Sequence, residues 1–130
     1  MILQPPSWAQ PRGYANGISA RGQLVFVAGQ IGWDAQQRFT SGDFVGQCRQ
    51  ALTNVVAVLA EAGARPEHIV RMTWYVVDRT EYLNAGPALG KCYREIIGRH
   101  YPAMTAVQVS ALMESEARVE IEVIAVIPDT

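Results

Sequence analysis

The side chains best suited to chemistry are two carboxylates in the last apolar segment of the chain. Glu120 and Glu122 are separated by one residue, so in an extended strand they share one face. A carboxylate accepts a proton when its surroundings raise its pKa. Carboxylates on a strand more often form a solvated face or pair with an arginine, here Arg71 or Arg118. The residues alone leave both interpretations open.

Metal and thiol chemistry are not indicated by the spacing of the relevant residues. Cys48 and Cys92 are far apart, and neither has a partner at the spacing of a zinc site or a CxxC motif. His68 lies in a polar turn, and His100 ends a predicted helix. The sequence therefore predicts no metal site and two buried helical thiols.

The composition is that of one globular domain. The chain has 130 residues, of which 49% are hydrophobic and 18% charged, and this length is enough to bury a core without disulfides. No apolar stretch approaches the roughly 18 residues of a membrane span, and the N-terminus lacks the features of a secretory signal. We expect a soluble cytoplasmic protein with a single domain, residues 1–130, in which residues 1–12 form an N-terminal extension.

The charge balance bears on the class of partner. The formal net charge is −1, and lysine and arginine are not concentrated in any segment. Proteins that bind a phosphate backbone carry a basic patch. Neither nucleic acid nor a membrane is therefore an expected partner.

The first half of the chain predicts a buried strand and a long helix. Leu24–Ala28 is a continuous apolar run, which is typical of a central strand buried on both faces. From Phe44 onward the apolar residues follow helical spacing. Asp43 is a suitable N-cap for this helix, and Gly63 is placed to end it in a left-handed conformation.

The second half predicts three strands and a broken helix. Ile69–Val77 is rich in β-branched and aromatic residues, as strands are. A capping box at Asp78–Glu81 and the pair Gly86-Pro87 predict a second helix that is interrupted. Ala103–Val109 and Arg118–Ile127 are predicted strands, and the polar segment between them suggests a β-hairpin.

These elements predict an α+β fold. Their order is β, β, α, β, α, β, β, which favours a mixed β-sheet with two helices packed on one face. The other face of the sheet would have no cover, although the strands carry apolar residues on both faces. We therefore expect the chain to self-associate and so to cover this apolar face.

The C-terminal part of the chain carries a family resemblance. The segment Pro102–Leu112, followed by Val119–Ile121, is similar to the signature of the RidA (YjgF-like) family. Ala28–Ile31 and Trp74–Asp78 agree with the same family in order. The resemblance implies the RidA-like (chorismate mutase-like) fold and a homotrimer that binds small molecules in the clefts between subunits. It also implies hydrolysis of imines and enamines to a carbonyl compound and ammonia, without metal or cofactor.

The same resemblance implies roles for particular residues. Glu120 would orient water or move a proton, whereas Glu122 has a weaker claim. Tyr14 would lie at the cleft, where a phenol packs on a flat substrate and donates one hydrogen bond. The alternative for Tyr14 is a packing residue of the core or interface.

Met104 is the main departure from the family pattern. Substrate-processing members carry arginine there, and a thioether cannot bind a carboxylate with two parallel hydrogen bonds. Ala28 replaces a frequent serine, Ala106 stands where cysteine or another small residue is common, and Gly29 follows Ala28 in the expected binding site. Arg71 could supply the missing charge, although most strand arginines extend into solvent.

Two functional hypotheses follow, and they share one pocket. The first is an imine or enamine deaminase whose substrate choice is shifted away from 2-imino acids. The second is a noncatalytic trimer that binds a small molecule or regulates a partner enzyme. Ribonuclease action, an older label within the family, is disfavoured by the near-neutral charge.

Overall fold

A computed structural model describes residues 1–130 as a four-stranded mixed sheet with helices on one face. The strands are β1 (Ile2–Leu3), β2 (Gly17–Ile18), β3 (Gln23–Ile31), β4 (Ile69–Val76), β5 (Ala103–Gln108) and β6 (Val119–Ile127). The helices are α1 (Phe44–Glu61), α2 (Arg79–Asn84) and α3 (Gly86–Ile96), and a 3-10 turn spans Pro66–His68. The prediction of an α+β fold with a mixed sheet is confirmed.

The strand order corrects the predicted hairpin. The order in the main sheet is β3-β6-β4-β5, so β5 and β6 are not neighbours. β6 pairs antiparallel with both β3 and β4, whereas β5 pairs in parallel with β4. The polar segment between β5 and β6 crosses β4 instead of forming a tight turn. Because β6 has apolar residues on both faces, it buries the most apolar surface when it lies in the middle of the sheet.

β3 is an edge strand, so the prediction of a central strand was wrong. On its outer face Leu24 is 57% exposed and Phe26 is 68% exposed, whereas Val27 is buried against the helices. A continuous apolar run does not by itself distinguish a strand covered on both sides from an edge strand with one uncovered apolar face. In the single chain, that second face of β3 lies open.

The limits of α1 agree with the sequence prediction. The Asp43 side chain accepts a hydrogen bond from the Gly46 backbone N–H at 3.2 Å and so caps the helix. Gly63 has φ +73°, the left-handed conformation expected of a residue that ends a helix. Cys48 and Leu52 lie on the buried face of this helix and pack on the sheet.

The predicted broken helix is observed as two helices, which brings the total to three. The Asp78 side chain accepts hydrogen bonds from the backbone N–H groups of Thr80 and Glu81, which starts α2. Pro87 lies in the first turn of α3, where its missing N–H is not needed. α3 packs on α1, and Cys92 and Tyr93 are its buried residues.

The core lies between the helices and one face of the sheet. Val119, Ile121, Val123 and Ala125 of β6 point into it, on the face opposite Glu120 and Glu122. Both cysteines are buried there, as predicted, and burial raises the pKa of the Cys48 thiol.

The buried amide Gln47 ties α1 to the loop before β6. Its Nε2 donates to the backbone oxygens of Ser41 and Glu116, and its Oε1 accepts from the Arg118 N–H. The side chain is 1% exposed, so these bonds replace the ones it would make with water.

The residues predicted as an N-terminal extension contain a short strand. β1 pairs with β2 in an antiparallel ribbon, with Ile2 opposite Ile18. No helix of the structure combines the length and apolar composition required to cross a membrane.

Candidate functional site

The sheet face opposite the helices carries a group of polar side chains. Strand alternation directs every second residue of β4 and β6 away from the core. On this face, called the polar face below, lie Arg71, Thr73, Tyr75, Glu120 and Glu122.

Glu122 is held by a neighbouring phenol. The Tyr75 hydroxyl donates a hydrogen bond to Glu122 Oε1 at 2.5 Å. This bond, together with the negative charge of Glu122, raises the pKa of Tyr75. Tyr75 is therefore a neutral donor at physiological pH, and Glu122 has a fixed structural partner.

Glu120 has no hydrogen-bond or ion-pair partner within the chain. Arg118 binds Glu81 at 2.9 Å, and Arg71 donates to Thr105 Oγ1 at 3.2 Å, so neither arginine pairs with Glu120. In the sheet Glu120 lies opposite Tyr75. Its carboxylate is partly exposed and free to contact water or a ligand.

An irregularity in β3 makes room for the Glu120 carboxylate. The pairing of β3 with β6 shifts register between Val27 and Gln30, which marks a bulge at Ala28 and Gly29. A Cβ atom on Gly29 would lie only 2.0 Å from Glu120 Oε2. The absence of a side chain at Gly29 therefore allows Glu120 to lie across β3.

Ala28 and Arg71 line one pocket on the polar face. Its volume is about 370 Å³, and Phe26, Thr73 and Glu122 also contribute to it. Arg71 is exposed and has no carboxylate partner. Within one chain it therefore lies with Ala28 and the glutamates, on the opposite side of the sheet from Met104.

Met104 lines a separate cavity on the helical side of the sheet. It lies opposite Met72 in the register of β4 and β5 and packs against the core. The cavity, called the β5–α3 cavity below, has a volume of about 350 Å³. Its lining residues come from the segments before β2 and before β5 and from β4, α2, α3 and β5, and include Gly13, Trp74, Tyr82, Leu83, Leu89, Tyr93, Arg94, Tyr101 and Met104.

The aromatic walls of the β5–α3 cavity are fixed by mutual packing. The rings of Tyr93 and Tyr101 stack with centroids 5.5 Å apart, and the Tyr93 hydroxyl donates to the His100 carbonyl. Tyr82 packs edge-on against Trp74 at 6.3 Å. Burial raises the pKa of both Tyr82 and Tyr93, so these walls stay uncharged.

Tyr14 and Ala106 lie along the same outer edge of the sheet as Met104. The Ala15 N–H donates to the Pro102 carbonyl at 2.9 Å, which places Tyr14 beside the start of β5. Tyr14 is 42% exposed. Ala106 is exposed and lies opposite Trp74 in the register.

The structure thus divides the predicted site residues into two groups. Glu120, Gly29, Ala28 and Arg71 lie on the polar face, whereas Met104, Ala106 and Tyr14 lie along the β5 edge. Neither the pocket on the polar face nor the β5–α3 cavity contains residues of both groups. A site that uses both requires the β5 edge of one subunit to meet the polar face of another.

Two residues of the β5–α3 cavity were not predicted as binding residues. Trp74 is 4% exposed, yet its indole Nε1 has no hydrogen-bond partner within the chain. Arg94 has no ion pair or hydrogen bond within the chain and lies at the cavity wall. The sequence alone offers no signal for Arg94, because a glycine one helical turn before an arginine does not indicate a binding site.

Comparisons with known proteins agree on one family. Residues 7–127 match the family model described as Endoribonuclease L-PSP. A 2-iminobutanoate/2-iminopropanoate deaminase of Capra hircus is 35% identical over 105 residues, which are 80% of this chain and 73% of that protein. A protein of the same name from Dermatophagoides farinae is 30% identical over 128 residues, which are 97% and 95% of the two chains.

Solved structures show the same fold. The crystal structure of YyfB from Yersinia pestis, a protein of unknown function in the conserved Rid family, has a TM-score of 0.86 at 27% identity and covers 98% of both chains. E. coli TdcF with bound serine has a TM-score of 0.68 at 31% identity and covers 97% of this chain and 98% of that one.

Proposed function

This chain belongs to the RidA (YjgF-like) family, and on that premise we propose that it hydrolyses reactive imines or enamines to a carbonyl compound and ammonia. The observation that carries the proposal is the similarity, over 80% of the chain or more, to proteins named 2-iminobutanoate/2-iminopropanoate deaminases. In the reaction, water adds to the carbon of the C=N bond. The resulting carbinolamine then releases ammonia and leaves a C=O bond.

Glu120 is the proposed group that handles the proton. It takes a proton from the attacking water and returns it to the departing nitrogen, which is general base and then general acid catalysis. Its lack of any partner within the chain supports this role, because a carboxylate held by an arginine would be a weaker base. Tyr14 is proposed to pack on the substrate and to donate one hydrogen bond.

The proposed site needs a homotrimer. Glu120 and Met104 lie on opposite faces of the sheet, so they can share a substrate only when subunits associate. Exposed apolar residues on the uncovered side of the sheet, such as Leu24, Phe26 and Val107, supply surface for that association.

Met104 is proposed to shift substrate choice away from small 2-imino acids. A methionine cannot replace the two parallel hydrogen bonds of a guanidinium to a carboxylate, and each such bond is worth about 1.5–3 kcal/mol. The apolar lining of the β5–α3 cavity supports a substrate with a larger apolar part.

The direct test measures the rate of ammonia release from imines. An amino-acid oxidase generates these imines from amino acids with small, large aliphatic and aromatic side chains. We expect the chain to accelerate release for at least the larger imines, and Glu120→Gln to remove the acceleration. Glu61→Gln, a change at an exposed helical carboxylate, is the control. No acceleration over buffer for any imine would reject the proposal.

A second pair of variants tests whether the position of Glu120 matters as well as its charge. Gly29→Ala places a Cβ where the Glu120 carboxylate now lies, so it should lower kcat at least tenfold while the protein stays folded by circular dichroism. Gly42→Ala is the matched control, because a Cβ there meets no atom within 4 Å. Equal activity of the two variants would place Glu120 outside the reaction.

A noncatalytic binding or regulatory role is the second candidate, and Met104 is the observation that favours it. Under this alternative, ligands bind but no imine is turned over. Ribonuclease action, which the description of the matching family model names, requires a basic surface that a net charge of −1 does not provide. Incubation with single-stranded RNA under the same conditions is expected to leave the RNA intact.

A further inference from the structure

The position of the Glu120 side chain depends on the shape of its surroundings. Glu120 makes no hydrogen bond or ion pair within the chain, because the arginines nearest in sequence and in the sheet bind other groups. A glutamate that nothing holds samples many rotamers. A carboxylate that moves a proton must stay within hydrogen-bond distance of the reacting atoms. The neighbours of Glu120 therefore bear on the rate of the proposed reaction.

On the β3 side, Glu120 lies over a hollow. β6 lies between β3 and β4 in the sheet, so each of these strands borders one side of Glu120. Glu120 Oε2 lies 2.0 Å from the position that a Cβ on Gly29 would take. The hollow thus gives the carboxylate room but does not hold it there. Whether it stays over Gly29 depends on what closes the β4 side.

On the β4 side, the ring of Tyr75 borders Glu120. Tyr75 lies directly opposite Glu120 in the antiparallel pairing of β4 and β6, and the Cβ atoms of opposed residues in such a pair are about 4.5–5.5 Å apart. The pKa of Tyr75 is raised chiefly by its hydrogen bond to Glu122 and also by the charge of Glu120, in agreement with this proximity. The ring therefore limits movement of Glu120 away from Gly29.

Glu122 fixes the orientation of that ring. The Tyr75 hydroxyl donates to Glu122 Oε1 at 2.5 Å, and this is the one side-chain hydrogen bond that either residue makes within the chain. A hydrogen bond to an ionised acceptor is stronger than one between neutral groups. Tyr75 is thus held at its far end, and its ring stays beside Glu120.

We propose that Tyr75 and Glu122 are positioning residues that together confine the Glu120 carboxylate to the hollow over Gly29. The ring of Tyr75 is the wall of this arrangement, and Glu122 is the anchor of the wall. The consequence for turnover rests on the proposed function, whereas the confinement itself does not. The two carboxylates of the polar face then have different tasks: Glu120 is left free to react, and Glu122 acts through Tyr75 without touching the substrate.

Steady-state ammonia release from imines tests the anchor. Tyr75→Phe keeps the ring and removes the hydroxyl, whereas Glu122→Ala removes the acceptor. Each should lower kcat about tenfold and change KM less than about twofold, because the substrate contacts remain while the Glu120 carboxylate is displaced. Glu61→Ala, at an exposed carboxylate of α1, should leave both constants unchanged. Circular dichroism checks that each variant is folded.

Glu122→Gln separates the hydrogen bond from the charge. Its amide oxygen can still accept from the Tyr75 hydroxyl, so this variant should recover most of the kcat that Glu122→Ala loses. The double variant Tyr75→Phe/Glu122→Ala should be no slower than either single variant, because both changes break the same bond. Losses that add in the double variant, or an equal loss in Glu122→Gln and Glu122→Ala, would overturn the proposal.

Crystal structures of the natural chain and of Tyr75→Phe test the confinement without any substrate. The Glu120 carboxylate should lie over Gly29 in the natural chain and should occupy other rotamers in the variant. A carboxylate that keeps its place over Gly29 in Tyr75→Phe would overturn the proposal, whatever the kinetics of the variant.

The positioning roles and the proposed function can fail independently. Displacement of Glu120 in Tyr75→Phe, without turnover of any imine by the natural chain, would reject deamination and retain the confinement. Imine turnover by the natural chain, with an undisplaced Glu120 in the variant, would retain deamination and reject the positioning roles.

Discussion

At the scale of single residues, the side chains identified by family resemblance differ in predictability from two residues that line the β5–α3 cavity. Glu120, Tyr14 and Met104 were identified through resemblance, and their roles stay predictions. The unpaired Trp74 Nε1 and the free Arg94 could not be predicted, because both depend on how α3 packs beside β4 and β5. The sequence alone shows an indole and a helical arginine, and neither residue type distinguishes packing from binding.

Met104→Arg is expected to raise kcat/KM for small 2-imino acids. One charge-assisted hydrogen bond worth about 1.5 kcal/mol corresponds to roughly tenfold, and a guanidinium can make two of them. Steady-state ammonia release from 2-iminopropanoate checks the result. Met113→Arg adds the same charge at a residue that is 94% exposed, and it should have no effect. Identical rates in both variants would show that position 104 does not contact the substrate carboxylate.

At the scale of elements, the local signals were reliable. Asp43 and Gly63 limit α1 as predicted, because a cap and a left-handed turn involve residues only a few positions apart. Asp78 and Pro87 likewise start α2 and α3. Helix caps and helix-starting prolines depend on residues that are close together in the sequence, so they can be predicted without knowing the rest of the fold.

Asp43→Ala should lower the free energy of unfolding by about 0.5–2 kcal/mol, the usual value of an N-cap. Hydrogen bonds from Ser41 and from the Gly46 N–H lower the pKa of Asp43 below its ordinary value of 3.8. The charge-dependent part of its contribution is therefore present above pH 3.8 and is lost as the pH falls through the lowered pKa.

Urea denaturation at pH 7 and near pH 2.5 measures both parts of this prediction. The difference between Asp43→Ala and the natural chain should be larger at pH 7. Asp43→Asn keeps an acceptor and serves as the control, with a smaller loss at pH 7. A difference that does not depend on pH would contradict the assignment of the cap to the ionised carboxylate.

At the scale of the whole molecule, sequence patterns failed where pairing is non-local. The predicted hairpin of β5 and β6 is absent because β4 lies between them. The run Leu24–Ala28 has the same composition whether its second face is covered by its own chain or by another. Both errors concern which strands meet, and alternation along one strand carries no such information.

Phe26→Glu tests whether the uncovered sheet face is an interface. Sedimentation velocity of the natural chain should give the mass of a trimer, and the variant should dissociate because a carboxylate would be placed in an apolar contact. Met113→Glu, which changes an exposed residue of a loop, should leave the mass unchanged. A natural chain that sediments as a 14.3 kDa monomer would remove the basis for a shared site.

The two cysteines provide a natural reporter of global unfolding. Cys48 is 0% exposed on α1 and Cys92 is 1% exposed on α3, so both are sealed where the two helices pack together and on the sheet. A thiol-specific reagent such as a chromogenic disulfide can reach them only when those helices separate from the sheet. The rate of labelling in the absence of denaturant therefore measures how often the helices separate from the sheet, and no engineered probe is needed.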